Sequence, residues 1–410
     1  MNRGQCNGQA DVFTVAVFRV ARQSRHQTKP KRQRGRMLQN ASPQIQPVER
    51  SPSLTLRVSL FATHSFRRNK TSNSCNPERC PMRSTMRRGL ATSMAWISIV
   101  ALVSVTSWSR LSLGDDPRAE RLDADFQVQG EYAGEVTQSN GKKKLGVQII
   151  ALGKGKFHAV WRIGGLPGDG WDKNESAPRE GEIIAGVTTF KADEQTATIK
   201  DGVMTLTSGG KVIGELKRIV RKSPTLGAKP PKDAVVLFDG KSADQFENGR
   251  VTKDELLMQG ATSKFQHQSG TLHIEFQIPY GPLLPSRGNS GVYLQSRYEV
   301  QILDSFGLKP HNHECGGIPS IKEPDINMSF PPLSWQTYDV DFTAAQFTNG
   351  QKTKNGRMTV RHNGVVVHDN VELPHATTSS PLPEGPEPGP INLQDHNSEV
   401  RYRNVWFVEK

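Results

Sequence analysis

The sequence predicts an all-β protein, and three observations carry that prediction. From residue 126 onward, apolar and polar residues alternate in short runs, the period of half-buried strands. Clusters of Gly, Pro, Asn and Asp punctuate these runs at close spacing, as turns between short strands require. No stretch keeps a helical period over ten or more residues. The expected architecture is a jelly-roll sandwich at 235–410, preceded by a small β domain at 126–220 and an N-terminal signal or disordered segment.

The N-terminal segment accounts for the charge. The chain of 410 residues has a formal charge of +13, which at first sight suggests a nucleic-acid or anionic-surface binder. Residues 1–114 hold 19 Lys and Arg against 3 Asp and Glu, or +16, leaving 13 − 16 = −3 for the remainder. A slightly acidic globular remainder gives no reason to expect nucleic acid as a partner. Residues 87–114, RRGLATSMAWISIVALVSVTSWSRLSLG, begin basic and continue into an apolar run at 94–105. That run is short for a span of about 20 residues and fits a secretory signal. A retained anchor is the alternative, because Trp108 and Leu111 lengthen it. Met82 and Met86 stand just before this run, so 82–114 reads as the signal. Residues 1–81 read as a disordered basic extension or a mis-called start.

The mature chain is thus expected to be exported, periplasmic or secreted, with membrane contact only through the signal or anchor. Cys6, Cys75 and Cys80 lie upstream and only Cys315 lies beyond. No disulfide framework is expected, and a lone thiol suits a bacterial periplasm.

Within 126–220 the runs VQGEY, KLGVQIIAL, KFHAVWRI, TATIKDG, VMTLTSG and KVIGELKRI read as strands of a small sandwich or barrel. No catalytic constellation stands out. His158 and Trp161 could meet a sugar, although a single Trp in a small β domain is usually core. Residues 221–234, RKSPTLGAKPPKDA, form a Pro-rich linker that cannot continue a sheet.

The second domain opens with VVLFDGKS, where Asp239-Gly240 marks a turn. In GTLHIEFQI, His273 and Glu275 share one strand face and Leu272, Ile274 and Phe276 the other. The stretch RGNSGVYLQSRYEVQILD (287–304) reads as a glycine turn, a strand, a break and a second strand, with Glu299 and Gln301 facing together and Val300 and Ile302 opposite. A long loop at 305–332 holds His311, His313 and Cys315. Loops of that length are usually functional or disordered, and a lid is favoured over a metal site here. WQTYDVDF alternates as a strand, and Asn363-Gly364 marks a hairpin. In GPINLQDHNSEVRYRNVWFVE, Asn392, Gln394 and His396 are expected on one face. Two sheets packed through their apolar faces would leave a polar outer face for a ligand, with Trp335 and Trp406 in the core.

The motifs LFDGKS, LHIEF, RGNSGVYLQSRYEVQILDSFG, WQTYDVDF, VRHNGVVVHDNVELP and GPINLQDHNSEVRYRNVWF, in this order over 235–410, resemble the 3-keto-disaccharide hydrolases, once known only as a domain of unknown function. The resemblance implies a concanavalin A-like lectin/glucanase fold and cleavage of a glycosidic bond in a sugar already oxidised at C3. It implies a carbohydrate substrate, leaves the cofactor unknown and leaves a divalent metal open. A C3 ketone acidifies the hydrogen at C2, so a base can form an enolate and expel the C1 substituent; water then adds to give net hydrolysis. With that chemistry in view, Glu299 is the first choice for a base or metal ligand. His273 and Glu275 could supply a second acid/base or metal pair, and His396 with Gln394 could orient the leaving group or enolate oxygen. Gln301 would bind a sugar hydroxyl, Arg287 and Asn289 the carbonyl oxygen, and Arg403 is a weaker candidate. Laminarinase-like glycosidases of the same fold carry a carboxylate pair on one strand, in a pattern resembling E-x-D-x-(x)-x-E; here Gln301 cannot ionise and Asp304 falls on the other face, which disfavours that machinery. The alternative is a non-catalytic carbohydrate-binding module, weakened by the scarcity of aromatics on the expected polar faces.

Overall fold

The computed structural model describes residues 122–410; the readings made for 1–81 and 82–114 lie outside the described residues. A short helix, α1 (Ala124–Val128), is capped by the Asp123 carboxylate, which accepts from the Phe126 amide. Eight strands follow: β1 (Gly130–Gln138), β2 (Gly141–Gly153), β3 (Lys156–Ile163), β4 (Arg179–Ile184), β5 (Val187–Ala192), β6 (Gln195–Lys200), β7 (Val203–Ser208) and β8 (Lys211–Ile219). Each pairs with the next and β8 returns to β1, closing a barrel. Tyr132, Val147, Ile149, Phe157, Phe190 and Met204 fill its interior. Trp161 packs against that interior cluster. The outward Gln148 and Arg162 are nevertheless buried, because the barrel wall is covered by the second domain.

That domain runs through β9 (Val235–Phe238), β10 (Phe246–Glu247), β11 (Leu257–Met258), β12 (Thr262–His267), β13 (Gly270–Gln277), β14 (Ser290–Leu294) and β15 (Tyr298–Ile302). It continues with β16 (Trp335–Thr343), β17 (Gln346–Thr348), β18 (Gln351–Lys354), β19 (Gly356–His362), β20 (Val365–Leu373), β21 (Gly389–Leu393) and β22 (Arg401–Glu409). One sheet has the order β10-β12-β21-β14-β15; the other runs β11-β22-β13-β16-β19-β20, with β9 on β22. The alternating apolar residues meet between them: Leu272, Ile274 and Phe276 from β13, Val292 and Leu294 from β14, and Val300 and Ile302 from β15. Two hydroxyls pin the layers. Tyr402 shares a 2.6 Å hydrogen bond with Ser290, and Tyr338 donates to the Gln301 carbonyl at 2.6 Å. The result is an all-β sandwich beside a barrel, within one compact unit.

Two segments differ from their sequence readings. Residues 221–234 form no strand, as their prolines require, yet they are no free spacer: Thr225 donates to Asp339, the Gly227 amide to Glu275, and the Asn404 amide to the Ala228 carbonyl. The loop after β15 is likewise tied down. Asn327 donates to the carbonyls of Ser305 and Leu308, and the Gly316 amide and Gly317 carbonyl pair with Gln301.

Candidate active site on the five-stranded sheet

The polar outer face of the five-stranded sheet is set by the β14–β15 hairpin. Its turn passes through Gln295 and Ser296, both in the left-handed region (φ 52° and 53°). The register places Tyr293 opposite Glu299 and Gly291 opposite Gln301. With Val292, Val300 and Ile302 committed to the core, these four residues share the far face. Glu299 is 3% exposed, so it is buried on that outer face, under flanking loops, and outside the sheet–sheet core.

The Tyr293 hydroxyl donates to Glu299 Oε2 at 2.8 Å, and Gln394 Nε2 donates to the Tyr293 oxygen at 3.1 Å. The Gln301 amide has two orientations. The one that satisfies both its polar atoms places the nitrogen 2.7 Å from the Ser290 carbonyl and 3.1 Å from Glu299 Oε1; the other gives a single 3.4 Å contact to the His313 carbonyl. The Glu299 amide is bonded to Thr377 Oγ1 at 3.0 Å, which brings the 374–388 segment to the edge of the site. Gly291 makes the arrangement sterically feasible, since a Cβ there would lie 1.9 Å from Glu299 Oε1.

Burial pushes the Glu299 carboxyl up to about 7, and the Tyr293 hydrogen bond opposes the shift. Tyr293 itself is raised by burial and then by the Glu299 charge, so it stays a neutral donor. Two acceptors at the same site, Asn289 Oδ1 and Gln394 Oε1, are buried without a protein partner. A carboxylate that titrates near neutrality beside unpaired acceptors can take a proton from carbon and bind hydroxyl groups.

The other candidates divide cleanly. Gln301 and Gln394 join Glu299. Asn289 stands at the head of β14 with its unpaired oxygen. Arg287 is at the rim (φ 49°) and its guanidinium is engaged by Glu314 at 2.7 Å and the Asp304 carbonyl at 2.6 Å; it braces the following loop. His396 is exposed in the turn after β21. The strand ends at Leu393, so period-two alternation no longer governs that residue.

His273, Glu275 and Arg403 require correction: they lie on the outer face of the seven-stranded sheet, separated from Glu299 by both sheets and the core. His273 Nδ1 is 2.6 Å from Asp339, and Glu275 accepts from Arg403, Asn404 and the Gly227 amide. Trp406, expected in the core, stacks on His273 at 4.9 Å, and Arg403 lies 4.0 Å over Trp335. His273 is 0% exposed, and the 221–228 segment covers the cluster.

Sequence reasoning missed Tyr293 and Gly291. Both were legible in principle, because a hairpin read through 287–304 places them opposite Glu299 and Gln301. No group of three or more His, Cys, Asp or Glu side chains that could hold a metal ion occurs among the described residues. His311 and His313 are neighbours, 5.6 Å between ring centroids, with no third such ligand.

The sandwich thus carries a buried, near-neutral carboxylate, Glu299, on the outer face of its five-stranded sheet. Residues 233–408 match the family described as 3-keto-alpha-glucoside-1,2-lyase-like domain, and the sandwich is a domain of that family. Two crystal structures from Parabacteroides distasonis, each described as a proposed glycosyl hydrolase, are similar to this chain. The first is 31% identical, covering 44% of this chain and 84% of that one with a TM-score of 0.40. The second is 16% identical, covering 43% and 94% with a TM-score of 0.32. A search of curated proteins found no match.

Proposed function

We propose that the sandwich cleaves the glycosidic bond of 3-keto-glycosides by elimination across C1 and C2, followed by addition of water. Glu299 takes the C2 proton as a carboxylate. The C–H electron pair forms the enolate, which collapses to expel the C1 oxygen and leave a C1=C2 double bond beside the restored ketone. The leaving oxygen takes up a proton as Glu299 releases the one from C2 to solvent, which restores the carboxylate. Water then adds across the double bond, its hydroxide at C1 and its proton at C2. The observation that carries this reading is the neutral-range Glu299, fixed between Tyr293 and Gln301. A general base works best when its pKa lies near the working pH. Asn289 Oδ1 and Gln394 Oε1 would accept from sugar hydroxyls.

The test is a 3-keto-disaccharide carrying deuterium at C2. Release of free sugar or a keto-glucal with a primary isotope effect, and loss of the label to solvent, is the expected result. Cleavage that retains the deuterium would point to direct displacement at C1. No cleavage in the presence or absence of divalent metals would remove the reading altogether.

A further inference from the structure

The barrel backs two of the loops beside the five-stranded sheet, 279–289 and 304–334. Along the 304–334 loop, the barrel residue Arg162 is 2% exposed and reaches the Gly307 carbonyl at 3.4 Å, while its other nitrogens hold Gln148 at 3.1 Å and Glu175 at 3.2 Å. Gly307 has φ 71°, and a Cβ there would lie 2.8 Å from Ile150 Cδ1 of β2, so the loop seats directly on the barrel wall. Farther along, Arg221 bridges Glu131 of β1 and stacks 5.0 Å over Phe330. The 279–289 loop is held at its root, where the Tyr280 hydroxyl donates to Asp123 at 2.8 Å and its ring meets Phe126 edge-on at 5.0 Å.

These contacts pass to the site through few bonds. Ser305, two residues before Gly307, donates to Glu314 at 2.6 Å and accepts from the Cys315 amide at 2.8 Å. Glu314 binds Arg287, and Gly316 and Gly317 pair with the backbone of Gln301, whose side chain meets Glu299. The barrel therefore grips one end of the loop whose other end pairs with the backbone of Gln301, next to Glu299.

We infer that the barrel is a positioning part of the catalytic site, with Arg162 its principal positioning residue, and that it acts by keeping both loops closed over Glu299. The inference rests on the Glu299 face being the site. The function follows from burial: the loops exclude water, and exclusion of water is what lifts the Glu299 carboxyl toward neutrality. Loosening the dock should lower that pKa as well as slow the reaction.

The experiment compares full-length wild type with Arg162→Leu and Tyr280→Phe by hydrogen exchange and by the pH–rate profile. In Arg162→Leu, amides at 308–317 should exchange roughly tenfold faster or more, with the β13, β16 and β22 amides unchanged. The acid limb of kcat/KM should move to lower pH, with kcat/KM at neutral pH down roughly tenfold. Tyr280→Phe should loosen 281–289 more mildly. If Arg162→Leu unfolds the barrel, 308–317 should lose protection entirely. Protection of 308–317 that survives in either case, or an unmoved acid limb in a folded variant, overturns the inference. The exchange readout needs no turnover, so a failure of the proposed reaction is separately visible.

Discussion

Glu299 and Glu275 sit on the two outer faces of one sandwich, and both are buried, at 3% and 1% exposure. Burial alone raises a carboxyl pKa, and it is the largest influence on each. What separates them is what surrounds the charge. Glu275 is met by His273, Asn404, Arg403 and the Gly227 amide, and these together hold it down to about 2. Glu299 meets only neutral donors and rises to about 7. At His273, burial lowers the pKa, but the bonds to Asp339 and Glu275 outweigh it and raise the imidazole. The seven-stranded face is thus a network of paired charges that fastens the 221–228 segment, although the Trp406 indole nitrogen is buried there without a protein partner. The five-stranded face keeps a carboxylate under-compensated and two acceptors empty. A strand face with His and Glu at alternate positions is therefore no evidence of a site until its partners are counted.

The sharpest way to separate the faces is Glu299→Gln. Loss of the base should lower turnover of a 3-keto-glycoside by 10²–10⁴-fold, the usual contribution of general-base catalysis. The same change removes a buried charge, so the melting temperature should hold or rise. A variant that is inactive and less stable would mean that Glu299 is structural. Gly291→Ala probes the same point without touching a polar group. The backbone there tolerates alanine, but the added carbon would collide with Glu299 Oε1. Displacing the carboxylate by about 1 Å should cost on the order of 10²-fold in kcat/KM, with KM moving less than kcat.

On the other face the expected pattern inverts. Glu275→Gln takes the carboxylate from Arg403 and leaves His273 with Asp339 alone. Breaking a buried pair costs about 3–5 kcal/mol, and because Arg403 is 38% exposed we expect the lower part of that range or less. Denaturant unfolding measures it, and kcat/KM should stay within about twofold, as expected for a site separated by the core. A loss of activity matching that of Glu299→Gln, at unchanged stability, would put the chemistry on the wrong sheet.

The sequence made the all-β class, the alternation of β13 and β15, and the polar character of both faces legible, because these depend on neighbours two residues apart. Which sheet each strand joins was not legible. β14 pairs with β21, about 100 residues later, and carries β15 with it, while β13 joins β16 and β22, so the separation of His273 from Glu299 is a long-range fact. The same holds for 221–234. Prolines announce a break in the sheet, but Thr225 finding Asp339 depends on a residue 114 positions away. His396 leaves the expected strand face for a local reason: the Asp395 side chain accepts from the Asn397 amide, forming a turn where a continued strand was expected. Tyr293 lies on the strand opposite the carboxylate, and only the hairpin register pairs the two.

The smallest expected effect is also the most specific. Tyr293→Phe removes the hydroxyl that donates to Glu299, a bond that lowers the carboxyl against the larger effect of burial. Without it the pKa should rise above its present value of about 7. The base must be deprotonated to act, so the acid limb of kcat/KM should shift to higher pH while the plateau falls by no more than about tenfold. Stability follows with a definite sign. A carboxyl raised from 4.5 in the unfolded chain to about 7 in the fold binds its proton more tightly when native, so its contribution is complete below pH 4.5 and is lost as pH rises through 7, by up to about 3 kcal/mol. Glu275, lowered to about 2, works the other way: its contribution is present above pH 4.5 and is lost as pH falls toward 2. In Tyr293→Phe the neutral-side loss should extend to higher pH and the acid-side loss should not move. Urea unfolding at a series of pH values reads both limbs in one protein, and a shift of the acid-side limb would break the separation of the two faces.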